Sequence, residues 1–153
     1  MIDPRGPRFA AAITTAVLAA VLVTGNAVLL AVQVGVFAVA TGFGLRAAPY
    51  GLAYARLIRP RLAPPNELED ERPPRFAQAV GLGFGTVGLL ALLAGWTAVF
   101  YVAVAAALAA AFLNAAFGFC LGCEIYLLIH RFRAGAPSQT QRAPSQPQEV
   151  TTP

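Results

Sequence analysis

Two long uncharged stretches dominate the chain. Phe9 to Leu45 carries no charged residue over 37 positions, and Phe76 to Cys123 carries none over 48. One helix needs about 20 apolar residues to cross a bilayer core, so each stretch is long enough for two spans. Thr24-Gly25-Asn26 breaks the first stretch near its middle, and Ala94-Gly95-Trp96-Thr97 breaks the second. The pattern predicts an all-α membrane protein with four transmembrane helices at about 9–25, 27–45, 76–93 and 98–119, the second and third joined by a loop over 46–75. The first run, Phe9–Val23, is short. At about 1.5 Å per residue it crosses a core of about 30 Å only by recruiting the turn residues, or by thinning the bilayer locally.

The two stretches echo each other. Arg8-Phe9-Ala10-Ala11-Ala12-Ile13 resembles Arg75-Phe76-Ala77-Gln78-Ala79-Val80, Gly25-Asn26 corresponds to Gly95-Trp96, and Gly42-Phe43-Gly44 to Ala116-Phe117-Gly118. Each half is a hairpin that starts and ends on one side, so the expected repeat is parallel, about an axis along the membrane normal. In the first half the chain continues into Gly51 to Arg59, where Tyr54, Leu57 and Ile58 share a face at helical spacing and Pro60 follows. This predicts a short interfacial helix. By analogy, Cys120 to Arg133 should form the matching interfacial helix, after a turn near Gly118.

Charge sets orientation. All eleven basic residues are arginine, and they fall in the N-terminus, the loop 46–75 and the C-terminal part, with none in the two turns. By the positive-inside tendency those segments face the cytoplasm, with Trp96 as an anchor at the opposite interface. The expected location is the bacterial cytoplasmic (inner) membrane, with both termini cytoplasmic; the lysine-free, Ala-, Pro- and Gly-rich composition suits a GC-rich bacterial genome. This distribution also accounts for the basic charge without nucleic acid as a partner. A signal peptide competes for Arg5, Arg8 and the first apolar run, but Thr24-Gly25-Asn26 is a poor cleavage site. Glu67, Glu69, Asp70 and Glu71, bracketed by Pro64-Pro65 and Pro73-Pro74, are expected to form a solvated acidic turn. The transmembrane domain should occupy 1–133, and the Pro-, Ser-, Gln- and Thr-rich 134–153 a disordered cytoplasmic tail.

Both cysteines, Cys120 and Cys123, lie where the second uncharged run meets its first charge. If they open a helix, free backbone N–H groups and the helix dipole favour the thiolate. The spacing permits an intramolecular disulfide, with the dithiol as the resting form in a reducing cytosol. Packing as two small apolar residues is the structural alternative. Zinc or an iron–sulfur cluster is a further one, but within one chain His130 lies about 10 Å along a helix from Cys123, too far for one tetrahedral ion. A two-fold homo-oligomer would supply four thiolates instead. No other cofactor is expected.

Gly81, Gly85 and Gly88 form a small-residue stripe on the third span, with Ala77 beyond it and Ala103, Ala107 and Ala111 as a matching face on the fourth. Such faces let helix backbones approach closely. Gln33 and Asn114 are polar within spans and are expected to bond to neighbouring helices. Asn114 lies about 9 Å deeper than Cys120 on a straight helix, at the floor of any pocket below the thiols, and Gln78 lies at a depth near that of Cys120. No intramembrane carboxylate is present, which argues against an ion pump of the carboxylate kind.

Asp3-Pro4, the paired Arg8-Phe9 and Arg75-Phe76, and above all Phe119-Cys120-Leu121-Gly122-Cys123 followed by Tyr126 resemble the bacterial membrane family catalogued as domain of unknown function 4395. The resemblance covers about Asp3 to Arg133 and implies a four-helix membrane protein with a paired-thiol motif. Association of some members with thioredoxin-like or sulfurtransferase proteins implies thiol or sulfur handling. The expectation is a membrane dithiol protein in which Cys120 is nucleophile and Cys123 the resolving thiol, exchanging electrons or carrying persulfide sulfur with a soluble thioredoxin-like or rhodanese-like partner. The alternatives are a non-enzymatic scaffold or complex subunit, and a metal-handling protein.

Overall fold

The computed structural model describes residues 1–63 and 68–133. Glu67, Pro64-Pro65 and the tail 134–153 lie outside the described residues. Among the described residues there are six α-helices: α1 (Arg5–Thr24), α2 (Ala27–Phe43), α3 (Pro49–Ala53), α4 (Arg72–Leu93), α5 (Thr97–Phe117) and α6 (Leu121–Arg133). A π-helical turn (Tyr54–Ile58) and a 3-10 turn (Arg59–Arg61) extend α3. Among the described residues there is no strand, only an isolated bridge between Ile2 and Glu69.

Among the described residues three helices, not the expected four, are long and apolar enough to cross a membrane: α1, α4 and α5. The fourth, α2, is a shorter apolar helix of 17 residues. It ends at Phe43 rather than Leu45 because Gly44 turns the chain at φ 90°. The first span is not short. Helix α1 begins at Arg5, four residues before the uncharged run, because helix geometry does not stop where the arginines begin. Its 20 residues reach about 30 Å without help from the turn.

Helix α4 also begins early, at Arg72, and takes in Pro73-Pro74. These prolines do not bracket a loop. In a first turn their missing N–H groups have no intrahelical acceptor, so they fit there without loss. The acidic turn is likewise more than a solvated loop. Glu71 accepts a hydrogen bond from the Leu45 N–H at 2.8 Å, and Glu69 pairs with Ile2 through both backbone bonds.

Helices α1, α2 and α5 stop at a glycine with positive φ, Gly25 (62°), Gly44 (90°) and Gly118 (69°), and α4 is followed, after Ala94, by Gly95 (77°). The left-handed region favours glycine, so these four positions set where the bundle turns. The core between the helices holds Leu18, Val21, Leu30, Ala91, Phe100 and Val104. Outward faces are apolar as well: Val23, Val102 and Phe117 are more than two-thirds exposed. A surface of this kind suits lipid rather than water.

Helix α1 packs chiefly on α5, and α2 chiefly on α4. Contacts at one end match across these pairs. Arg75, at the start of α4, donates to the Thr41 and Gly42 carbonyls at the end of α2, both at 2.6 Å. Arg8, at the start of α1, donates to the Ala115 carbonyl near the end of α5 at 3.4 Å. Phe9 packs on Tyr54 with ring centroids 5.9 Å apart, and Phe76 packs on Tyr126 at 5.6 Å. The arginine-bearing segments therefore gather at one end of the bundle, opposite the turns at Gly25 and Gly95.

Candidate functional site

Helix α5 ends on Gly118, whose N–H closes onto the Asn114 carbonyl at 3.0 Å. Phe119 and Cys120 then lead into α6, where the Glu124 N–H bonds back to the Cys120 carbonyl at 3.1 Å. Cys120 thus caps a new helix, as the comparison of the two halves predicts. Its side chain completes the cap: Cys120 Sγ accepts the Cys123 N–H at 3.3 Å. Ala48 occupies the N-cap position of α3, with no side-chain cap bond.

Cys120 and Cys123 are joined by a disulfide, with their Cα atoms 5.2 Å apart. The spacing thus closes into an intramolecular bond. Reduction would leave Cys120 Sγ beside the Cys123 N–H at the positive end of α6, an environment that favours its thiolate.

Gly122, between the two cysteines, is helical and does not serve a tight turn. Its role is contact. A Cβ at this position would stand 2.7 Å from both Cα and Cβ of Ala77, so the first turn of α6 lies directly against the backbone of α4. Beyond this seat, Tyr126 packs on Phe76 of α4 and also on His130, at a centroid distance of 4.4 Å. Glu124, Leu127, Leu128 and Phe132 are exposed. Among the described residues, no group of three or more His, Cys, Asp or Glu side chains lies close enough to hold a metal ion.

Cys120 lines a cavity of about 280 Å³ that runs from the α6 terminus into the bundle. Ala77, Gln78, Gly81, Ala107 and Asn114 form much of the remaining wall. The two amide residues that depth alone put near the thiols are therefore brought to one space with Cys120. The wall is otherwise mostly small and apolar, with Ala106, Ala107, Ala110 and Ala111 of α5 and Ala77 and Gly81 of α4 on it.

The glycine stripe packs within the chain. A Cβ on Gly81 would meet the Phe37 ring at 3.1 Å, one on Gly85 would meet Val34 at 3.0 Å, and one on Gly88 would meet Val104 at 2.8 Å. The first two thus face α2 and the third faces α5. Ala103 and Ala107 are buried on α5, as a matching small face requires.

Gln33 is fully buried, and both ends of its amide are hydrogen-bonded. Its Nε2 donates to Thr14 Oγ1 at 3.4 Å, and its Oε1 accepts from the Tyr50 hydroxyl at 2.7 Å. This chain ties α1, α2 and α3 together. Tyr50 is invisible in the sequence pattern because its partner comes from a different element. Near it, the Tyr54 hydroxyl donates to Asp3 at 2.8 Å. Burial, then the hydrogen bond and charge of Asp3, push the Tyr54 hydroxyl above its ordinary pKa. Of the residues expected to share a face there, Tyr54 is buried and Leu57 is exposed.

A family model described as Domain of unknown function (DUF4395) matches residues 2–131, and the chain belongs to that family. No curated protein and no solved structure matches the chain.

Proposed function

We propose that this member of the family is a four-span protein of the bacterial cytoplasmic membrane whose Cys120–Cys123 pair exchanges electrons with a soluble thioredoxin-like protein on the cytoplasmic side. The observation that carries the thiol reading is the position of Cys120. Its sulfur caps α6 and lines a cavity, while Cys123 is within bonding reach. A pair of cysteines used only for packing needs neither feature.

Four crossings are supported by α2 itself. Leu30, Val34 and Phe37 oppose Gly88, Gly85 and Gly81 in antiparallel order, so α2 runs through the same depth as α4. Its 17 residues reach about 25 Å, enough with flanking residues or slight thinning. The paired arginine contacts and the paired Phe–Tyr contacts support a parallel repeat. Arginines at one end only support cytoplasmic termini.

In the reducing direction, a partner thiolate attacks Cys120 Sγ, the Cys120–Cys123 bond breaks, and Cys123 leaves as a thiolate that takes a proton. The partner's second thiol then attacks the mixed disulfide and releases Cys120. Two electrons and two protons pass from the partner to the pair, and the partner's own disulfide forms. Purified protein in lipid nanodiscs, incubated with reduced thioredoxin as the probe, should expose two alkylatable thiols, and a thioredoxin whose resolving cysteine is replaced by serine should be trapped on Cys120 of the wild-type chain as a mixed disulfide, with Cys123 released as a thiol. A scaffold role predicts the reverse pattern in cells: Gly81→Leu and Gly85→Leu lose function while both Cys→Ser variants keep it. That outcome would sink the thiol reading.

A further inference from the structure

A dithiol that receives electrons from a soluble partner must pass them on, and the surroundings of Cys120 indicate to what. We propose that the cavity beside Cys120 binds the ring of a prenylated quinone, which oxidises the dithiol. This rests on the thiol-exchange reading above and names the second substrate of the same site. At about 280 Å³ the cavity lies at the small end of ligand pockets, so it suits a single substituted ring rather than a larger molecule. Its polar side chains include the two primary amides of Asn114 and Gln78, on different helices. Two amide N–H donors from separate walls match two carbonyl oxygens on one ring.

The tail also has a place. A second groove of about 560 Å³ runs between α4 and α5 and is lined by Gly83, Val87, Ala98, Val99 and Val102. Val102, Val87 and Val99 are exposed there, on the apolar outer face. Val80 and Phe84 line both spaces, so the ring cavity and the outer groove share one wall. A ligand with a polar two-acceptor head and a long apolar tail fits this sequence of spaces. A phospholipid does not: its charged headgroup would meet the apolar wall and the neutral amides.

The reaction balances without another reactant. The Cys120 thiolate attacks the quinone ring and forms a covalent adduct. The Cys123 thiolate then attacks Cys120 Sγ, the S–C bond breaks and the disulfide closes. Two electrons stay on the ring, which takes two protons to become the hydroquinone. One quinone is consumed for each disulfide formed.

The test uses full-length protein in nanodiscs and a decyl-tailed benzoquinone as the probe. Binding is measured in the Cys120→Ser/Cys123→Ser variant, where no thiol can react, and should saturate at one quinone per chain. Asn114→Leu in that background should weaken binding about tenfold or more, as expected for loss of a buried hydrogen bond, and Gln78→Leu gives a second, independent reading should Asn114→Leu fold poorly. Reduced wild-type protein should form one hydroquinone per disulfide, more slowly when Asn114 is replaced. No saturable binding in the thiol-free protein, or binding equally displaced by phospholipid, overturns the proposal. Thiol exchange with thioredoxin is measured separately on wild-type protein, so exchange without quinone binding removes the quinone and leaves the exchange reading standing.

Discussion

Replacing Gly122 by alanine tests how the cysteine pair is held against the bundle. The added Cβ would lie 2.7 Å from both Cα and Cβ of Ala77, whereas non-bonded carbons rest about 3.5–4.0 Å apart. One of the two opposing atoms is backbone, so no side-chain rotation relieves the clash. The start of α6 must retreat by about 1 Å, and overpacking of this kind costs about 1–3 kcal/mol. Alanine offsets part of this, since Gly→Ala within a helix gains about 0.5–1 kcal/mol. The net loss should fall between about 0 and 2.5 kcal/mol. Gly35 supplies the control: it is helical, with nothing within 4 Å of a built Cβ, so Gly35→Ala should be neutral or stabilising. Denaturant unfolding in detergent micelles measures both. Ala77→Gly should rescue Gly122→Ala only partly, because the contact with the Ala77 Cα remains. If Gly122→Ala is as stable as Gly35→Ala, the seating of α6 on α4 is wrong.

Gln33→Leu leaves the Tyr50 hydroxyl and Thr14 without their buried partner and should cost about 1–2 kcal/mol in the same unfolding assay. Arg75 makes two short bonds to the end of α2 while Arg8 makes one long bond to the end of α5, so Arg75→Gln should destabilise more than Arg8→Gln. The raised pKa of Tyr54 fixes a pH dependence. The fold favours the neutral hydroxyl, so its contribution is complete below the unfolded value of about 10 and falls as pH rises from there through the folded value. Unfolding midpoints measured across that range should drop, and Tyr54→Phe should drop less; Tyr50, also raised by burial, supplies a remainder.

The bundle was largely legible because its signals are local. Uncharged runs, turn glycines and arginine placement mark each helix, and the likeness of Phe76-Ala77 to Phe9-Ala10 was enough to anticipate a helix opening at Cys120. The misplaced boundaries share a cause. Hydropathy marks where charge begins, not where helix ends, so α1 and α4 run past it to Arg5 and Arg72. Prolines look like breakers unless the position of the first turn is known, which is why Pro73-Pro74 suggested a loop. Contacts between distant segments left no pattern to read: Glu71 with Leu45, Tyr50 with Gln33, and Gly122 with Ala77 each depend on packing. At the site, the depth of Asn114 and Gln78 followed from helical rise. Their sharing one cavity with Cys120 depended on how α6 folds back on α4.

The most direct test of the thiol assignment is the state of the pair after exposure to a defined dithiol. Full-length protein in nanodiscs is incubated with reduced thioredoxin, quenched by alkylation, and weighed by intact mass spectrometry. The account predicts two alkyl groups on the wild-type chain and, with a thioredoxin whose resolving cysteine is replaced by serine, a covalent adduct on Cys120 that thiol reductant removes. A chain whose cysteines stay unlabelled, with no adduct to that thioredoxin variant, would contradict it.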